Sequence, residues 1–162
     1  MKLIIIVASI VLMSIVLVAC TTPPQKSTTF VAPSQQGYDL HIDAKRHVAS
    51  DRDFVVHHYC KMFEAGFVEC QLYSSDAADA KLIGMEVVIG PELYESLSAD
   101  EKKNWHHHEA EIARKEVAIT LPGLSQEEQQ KIADVLKPTY GKVVIVWDPS
   151  DLFPMDPHVV II

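Results

Sequence analysis

Three histidines and two glutamates fall within six consecutive positions of this chain, in the stretch Asn104-Trp-His-His-His-Glu-Ala-Glu111. Neutral imidazole and carboxylate are the side chains that divalent metals take as ligands, so the chemistry to weigh first is metal binding. Backbone conformation decides which of them can act together. On a strand, His106 and His108 share a face and His107 points away, so two rings can converge on one ion. On a helix the three rings fan out by about 100° each, with His106 beside Glu109 and His107 beside Glu111. An exposed helix end, where histidine charge suits the C-terminus, is the non-metal alternative.

Further ligands would have to come from elsewhere in the chain. In Leu82-Ile-Gly-Met-Glu-Val-Val-Ile89, Glu86 is the only charge among eight residues, and a charge in a buried strand is costly unless it has a partner. Strict alternation sets Ile83, Met85, Val87 and Ile89 on one face and Glu86 on the other. His57 lies opposite the apolar face of its own segment, so His57 and Glu86 can meet if their strands are neighbours. The candidate metal set is therefore His57, Glu86, His106 and His108, for a divalent ion; a hydrogen-bonded Glu86 and a solvated His57 are the alternative.

These side chains need elements to hold them. Residues 57–73, HHYCKMFEAGFVECQLY, read as a hairpin whose loop is Glu64-Ala65-Gly66, with Gly66 in a left-handed conformation. A turn centred on Ala65 puts Cys60 opposite Cys70, Met62 opposite Val68 and His58 opposite Leu72. Those six share a face that is apolar apart from His58, while Lys61, Glu69 and Gln71 occupy the other. A disulfide between Cys60 and Cys70 is the natural reading for an exported chain, and two buried free thiols are the alternative.

Strand-length apolar or alternating segments run over Phe54–Lys61, Phe67–Ser74, Leu82–Ile89 and Lys142–Trp147. Pro91–Leu97 predicts a short helix. Ser98 with Glu101 has the capping-box spacing ahead of a second helix, and Ser125 with Glu128 repeats it before Gln129–Lys137. After His108 the periodicity fits neither helix nor strand cleanly, and a strand is the expectation. Together these predict an α+β fold: a single domain with a mostly antiparallel sheet and short helices between strands.

The amino terminus predicts a destination. Lys2 followed by the apolar run Leu3–Ala19 matches a secretory signal, and seventeen residues without a charged stop-transfer cluster is short for a bilayer span. The run ends in Leu17-Val-Ala-Cys20, which resembles the lipobox of bacterial lipoproteins, where cleavage precedes a cysteine that is then lipidated. Thr21 rather than aspartate follows, which by analogy with lipoprotein sorting favours the outer membrane. Residues 20–37 are a Thr/Ser/Pro/Gln tether, reaching on the order of 20 to 25 Å as a flexible coil, and residues 38–162 form the folded domain. Removing residues 1–19 takes away Lys2, so the formal charge of −8 becomes −9. Such acidity argues against nucleic acid or anionic lipid as a partner.

The blocks VHHYCK at 56–61, ECQLYSSD at 69–76, AKLIGMEVVI at 80–89, LYESLSADEKKNWHHHEAEI at 93–112 and TYGKVVIVW at 139–147 resemble, in order, the domain of unknown function typified by plant oil body-associated proteins. The resemblance implies no established reaction or cofactor. His106 and His108 match the family's Trp-His-Ser-His pattern and His107 does not. Ile145 stands where many relatives carry a histidine. Two functional classes follow. The favoured one is a non-enzymatic envelope lipoprotein that is anchored to the membrane by its lipid and binds a protein or lipid partner. The other is a metal-dependent hydrolase or oxygenase using His57, Glu86, His106 and His108.

Overall fold

Alternating side chains and tight reversals build the sheet from its amino-terminal edge. In the computed structural model, which describes residues 36–113, 119–154 and 156–162, β1 (Leu40–Ala44), β2 (Val56–Met62), β3 (Phe67–Tyr73) and β4 (Leu82–Ile89) are consecutive antiparallel neighbours. The short helices α1 (Pro91–Glu95) and α2 (Ala99–Lys102) lead to β5 (His106–His107), which runs directly into α3 (His108–Ile112). The longer helix α4 (Gln126–Leu136), β6 (Tyr140–Ile145) and β7 (His158–Val160) follow. Across the sheet the order is β1-β2-β3-β4-β6-β5, and β7 shares with β5 the outer edge of β6. This is the α+β arrangement with an antiparallel sheet that the sequence predicts. The segment 1–19, Cys20 and the tether as far as residue 35 lie outside the described residues, as do positions 114–118.

The hairpin forms in the expected register. Gly66 has φ 84°, the left-handed conformation that a side chain disfavours. Its N–H donates to the Phe63 carbonyl at 3.0 Å, and the Phe63 N–H donates to Phe67 at 2.9 Å. Cys60 faces Cys70, Met62 faces Val68 and His58 faces Leu72. The two sulfurs are bonded, with Cα atoms 4.0 Å apart, which removes the free-thiol alternative.

One face of the sheet is closed to solvent. Val56, Leu72, Ile83 and Val143 have no exposed surface, and Leu121 with Ile132 and Leu136 of α4 pack over them. Burying each such side chain contributes about 1.5–3 kcal/mol, which is why the sheet and α4 need each other. Helix α4 begins at Gln126, three residues earlier than its periodicity suggests, because Ser125 caps it: the Ser125 hydroxyl accepts from the Glu128 N–H, and the Glu128 carboxylate accepts from the Ser125 N–H. Ser98 caps α2 in the same manner on the Glu101 N–H.

Three expectations are corrected. The chain after His107 is helical, not a strand: the His108 N–H donates to Thr139 O, and the Ala113 N–H returns to Glu109 O. Strict alternation fails in β4, where Leu72 faces Gly84 and Tyr73 faces Leu82, so Ile83 is an extra residue. That bulge leaves both Ile83 and Glu86 facing the interior while Met85 is 40% exposed. Strands β1 and β7 were not foreseen. Both are short and contain a histidine, which breaks the apolar signal.

Candidate functional site

Glu86 sits at the centre of the buried face. It pairs with Cys70 on one side and Val143 on the other, so it projects into the same interior as the disulfide and His58. His57 belongs to the opposite face. The set expected from sequence therefore divides: Glu86, His106 and His108 come together, and His57 does not join them.

His106 reaches Glu86 across an intervening strand. Strand β6 lies between β4 and β5, and its residue directly opposite His106 is Gly141. A Cβ there would collide with the Glu86 carboxylate and the His106 ring, so glycine leaves the opening through which they meet. The ring nitrogen His106 Nε2 lies 3.4 Å from Glu86 Oε1 and 3.3 Å from Glu111 Oε2. The start of β5 is anchored by Glu101, which accepts from Trp105 Nε1 at 3.0 Å and from Lys142 Nζ at 2.5 Å.

The switch from strand to helix at His107 turns His108 back toward the same carboxylates. His108 Nε2 is 3.3 Å from Glu86 Oε1 and 3.8 Å from Glu111 Oε2, and its ring meets His106 edge-on at 5.0 Å. A strand is thus not needed to bring the two rings together. Glu111, one turn along α3, completes the group.

Two further histidines were not identified from sequence as members of this site. His58 Nε2 approaches Glu86 Oε2 at 3.6 Å, and His47 packs edge-on against the His58 ring at 4.6 Å. The clue to His58 was its place on the hairpin's otherwise apolar face. His47 lies in an irregular connection with no periodicity to read. All six residues are at most 7% exposed.

Their electrostatics follow from that burial. Burial, helped by His58, pushes His47 down to about 4, and burial also lowers His58. Burial disfavours a charged His106 too, but the Glu111 and Glu86 carboxylates raise it to about 9. Glu86 and Glu111 would be pushed up by burial, yet the imidazoles beside them hold both below the ordinary carboxylate value.

A cavity of about 450 Å³ opens onto the cluster. Its walls include Ile42, Val68 and Val88 of the sheet and Ile132 and Leu136 of α4; His47, His58, Glu86, His108 and Glu111 are polar groups on its lining, as are Thr139 and Lys131. Met62 and Val135, also on its lining, are 74% and 66% exposed and mark its way out to solvent.

His57 has its own partners. On the outer face, His57 Nδ1 and His41 Nε2 lie 2.8 and 2.9 Å from Asp43 Oδ1. Asp43 faces His57 directly across β1 and β2, and His41 stacks on Tyr59 at 4.5 Å. Ile145, where relatives are expected to carry histidine, is buried on the interior face.

A family profile described as "Protein of unknown function (DUF1264)" matches residues 32–161. Oil body-associated protein 2C of Arabidopsis thaliana is 40% identical over 101 residues, covering 61% of this chain and 42% of its own. Oil body-associated protein 2A of Zea mays is 30% identical over 145 residues, covering 83% and 57%. Oil body-associated protein 1B of Arabidopsis thaliana is 35% identical over 109 residues, covering 66% and 44%. The chain spans about half the length of these relatives. No solved structure matches it.

Proposed function

This chain belongs to the DUF1264 family of proteins of unknown function, and on that footing we propose that it is a membrane-tethered envelope lipoprotein whose domain binds a single-chain amphiphile. The observation that carries this reading is the cavity of about 450 Å³ between the sheet and α4, apolar along its walls and polar at the Glu86 cluster. That size and lining suit a small ligand, with apolar contacts supplying affinity and a few polar groups fixing its orientation. The hydrocarbon chain lies along Val68, Val88 and Ile132, and the polar head meets His58 and His108. The names of the relatives, which connect them with oil bodies, support a ligand drawn from a lipid surface. The lipobox at Cys20 would hold the domain near such a surface.

The test is native mass spectrometry of the full chain released from detergent, together with titration of a fluorescent fatty acid. Co-purified amphiphile and saturable binding are expected. Val68→Trp, which fills the cavity from the sheet side, should weaken binding by about tenfold or more. Wild type that neither carries nor binds an apolar ligand would sink the proposal. A second reading, a metal-dependent hydrolase or oxygenase acting on that ligand, is favoured because Glu86, Glu111 and His108 line the same cavity. Cleavage of an added fatty acyl ester, or oxidation of an added fatty acid in the presence of oxygen and a reductant, to a product of different mass separates it from binding alone.

A further inference from the structure

We propose that Glu86, Glu111, His106 and His108 form a site for one divalent transition-metal ion, with His58 facing it from the cavity. The inference does not depend on the amphiphile reading, and it supplies the centre that the enzymatic reading would need.

The first support is spacing. Metal–nitrogen and metal–oxygen bonds of about 2.0–2.2 Å place neighbouring ligand atoms roughly 3.0–3.5 Å apart. Both contacts of His106 Nε2 to the carboxylates fall in that range, as does His108 Nε2 to Glu86 Oε1 at 3.3 Å. His106 Nε2 and Nδ1 are nonetheless both buried without a hydrogen bond, a costly state for an interior ring. Ligand atoms of Glu86, His106 and His108 all lie within 4.8 Å of one another.

The second support is the direction of the other imidazole nitrogens. Thr139 Oγ1 donates its hydroxyl proton to Leu136 O at 2.6 Å, so it must accept from His108 Nδ1 at 2.8 Å. His58 Nδ1 is 3.1 Å from two carbonyl oxygens, Ile42 O and Val56 O, which can only accept. His47 Nδ1 likewise donates to Lys45 O at 2.9 Å. In each ring the N–H is held on Nδ1, and for a neutral ring that leaves a lone pair on Nε2. Lone pairs of His58 and His108 then face carboxylate oxygens, and a cation between them removes the repulsion. Fixing Nδ1–H on a backbone or hydroxyl oxygen is how proteins orient metal-binding histidines.

The third support is charge. Two buried carboxylates need compensation, and among the described residues their ion-pair partners are imidazoles, with no lysine or arginine. The mixture of imidazole nitrogen and carboxylate oxygen selects the class of ion. Zinc, manganese, iron and their neighbours take such a set, whereas calcium and magnesium prefer oxygen alone.

The full chain, purified in detergent without a polyhistidine tag and stripped with chelator, should take up one zinc or manganese ion and no magnesium. Metal content and the metal-induced rise in Tm are the readouts. Glu86→Gln and His108→Ala should lose both, while His57→Ala and His107→Ala keep both. Thr139→Val, which removes only the acceptor for His108 Nδ1, should weaken binding by about 10–100-fold. Near-ultraviolet circular dichroism reports whether each variant folds. Should the ligand variants unfold, wild type loaded with cobalt(II) decides: shifted imidazole N–H resonances support the site, and their absence overturns it. Wild type that binds no transition metal would leave a proton-stabilised histidine–carboxylate cluster instead. Metal lost from His57→Ala and retained by His108→Ala would move the site to His41, Asp43 and His57 and overturn the proposal.

Discussion

His47 and His106 titrate in opposite directions although both are buried, because burial prevails at His47, with His58 adding to it, while at His106 the adjoining Glu111 and Glu86 carboxylates outweigh it. In the metal-free protein this makes stability depend on pH in a definite way. An unfolded histidine takes its proton near 6.5, but folded His47 resists protonation until about 4. Its contribution is therefore complete above pH 6.5 and is lost as pH falls toward 4, at a cost of roughly 3 kcal/mol; burial moves His58 in the same direction. His106 behaves in reverse. Raised to about 9, its contribution is complete below 6.5 and disappears as pH rises through 9. With chelator present, the urea midpoint should peak near pH 6.5 and fall on both flanks. A profile flat from pH 5 to 9 would show that these groups are not held as the structure places them.

Between the elements, Gly141 decides whether the cluster can assemble, since it is the position in β6 over which His106 passes to reach Glu86. Gly141→Ala should cost about 1–3 kcal/mol from overpacking. Gly90→Ala, at a position where a Cβ meets nothing within 4 Å, should change little. Equal denaturant midpoints for the two variants would contradict the close approach of the His106 ring to Gly141. The hairpin could be read from sequence because loop chemistry, alternation and cysteine placement specified one register independently. Glu86 stands out in the sequence as a lone charge in an apolar strand, but alternation alone places it away from the interior face on which the structure puts it. The bulge at Ile83 shifts the alternation, and nothing in LIGMEVVI marks where such an insertion falls. The same alternation pairs Glu86 with His57, whereas the structure sets His58 on the face that Glu86 occupies. Strand periodicity pairs His106 with His108, and the structure pairs them through a strand-to-helix turn. Glu111 was visible in the motif but had no role until α3 formed. His47 could not have been found by periodicity at all.

At the scale of the molecule, the described residues contain the cavity, the disulfide and the His/Glu cluster, and no described helix is long and apolar enough to cross a membrane. Under the proposed lipoprotein reading, the Leu17-Val-Ala-Cys20 motif supplies the attachment to the bilayer. A formal charge of −8 gives anionic lipid headgroups no reason to hold the chain, so electrostatic adsorption is a poor substitute for an acyl anchor. A single acyl chain binds a membrane only marginally, whereas several together hold it firmly. Cys20→Ala should therefore abolish incorporation of labelled palmitate and move the protein out of the membrane fraction. Because Cys20 is not one of the bridged cysteines, the Cys60–Cys70 bond, the Tm and the affinities for zinc and fatty acid should all match those of wild type. Unchanged palmitate labelling would remove the lipoprotein assignment. Loss of labelling with full retention in the membrane fraction would instead point to the apolar run Leu3–Ala19 as a permanent anchor.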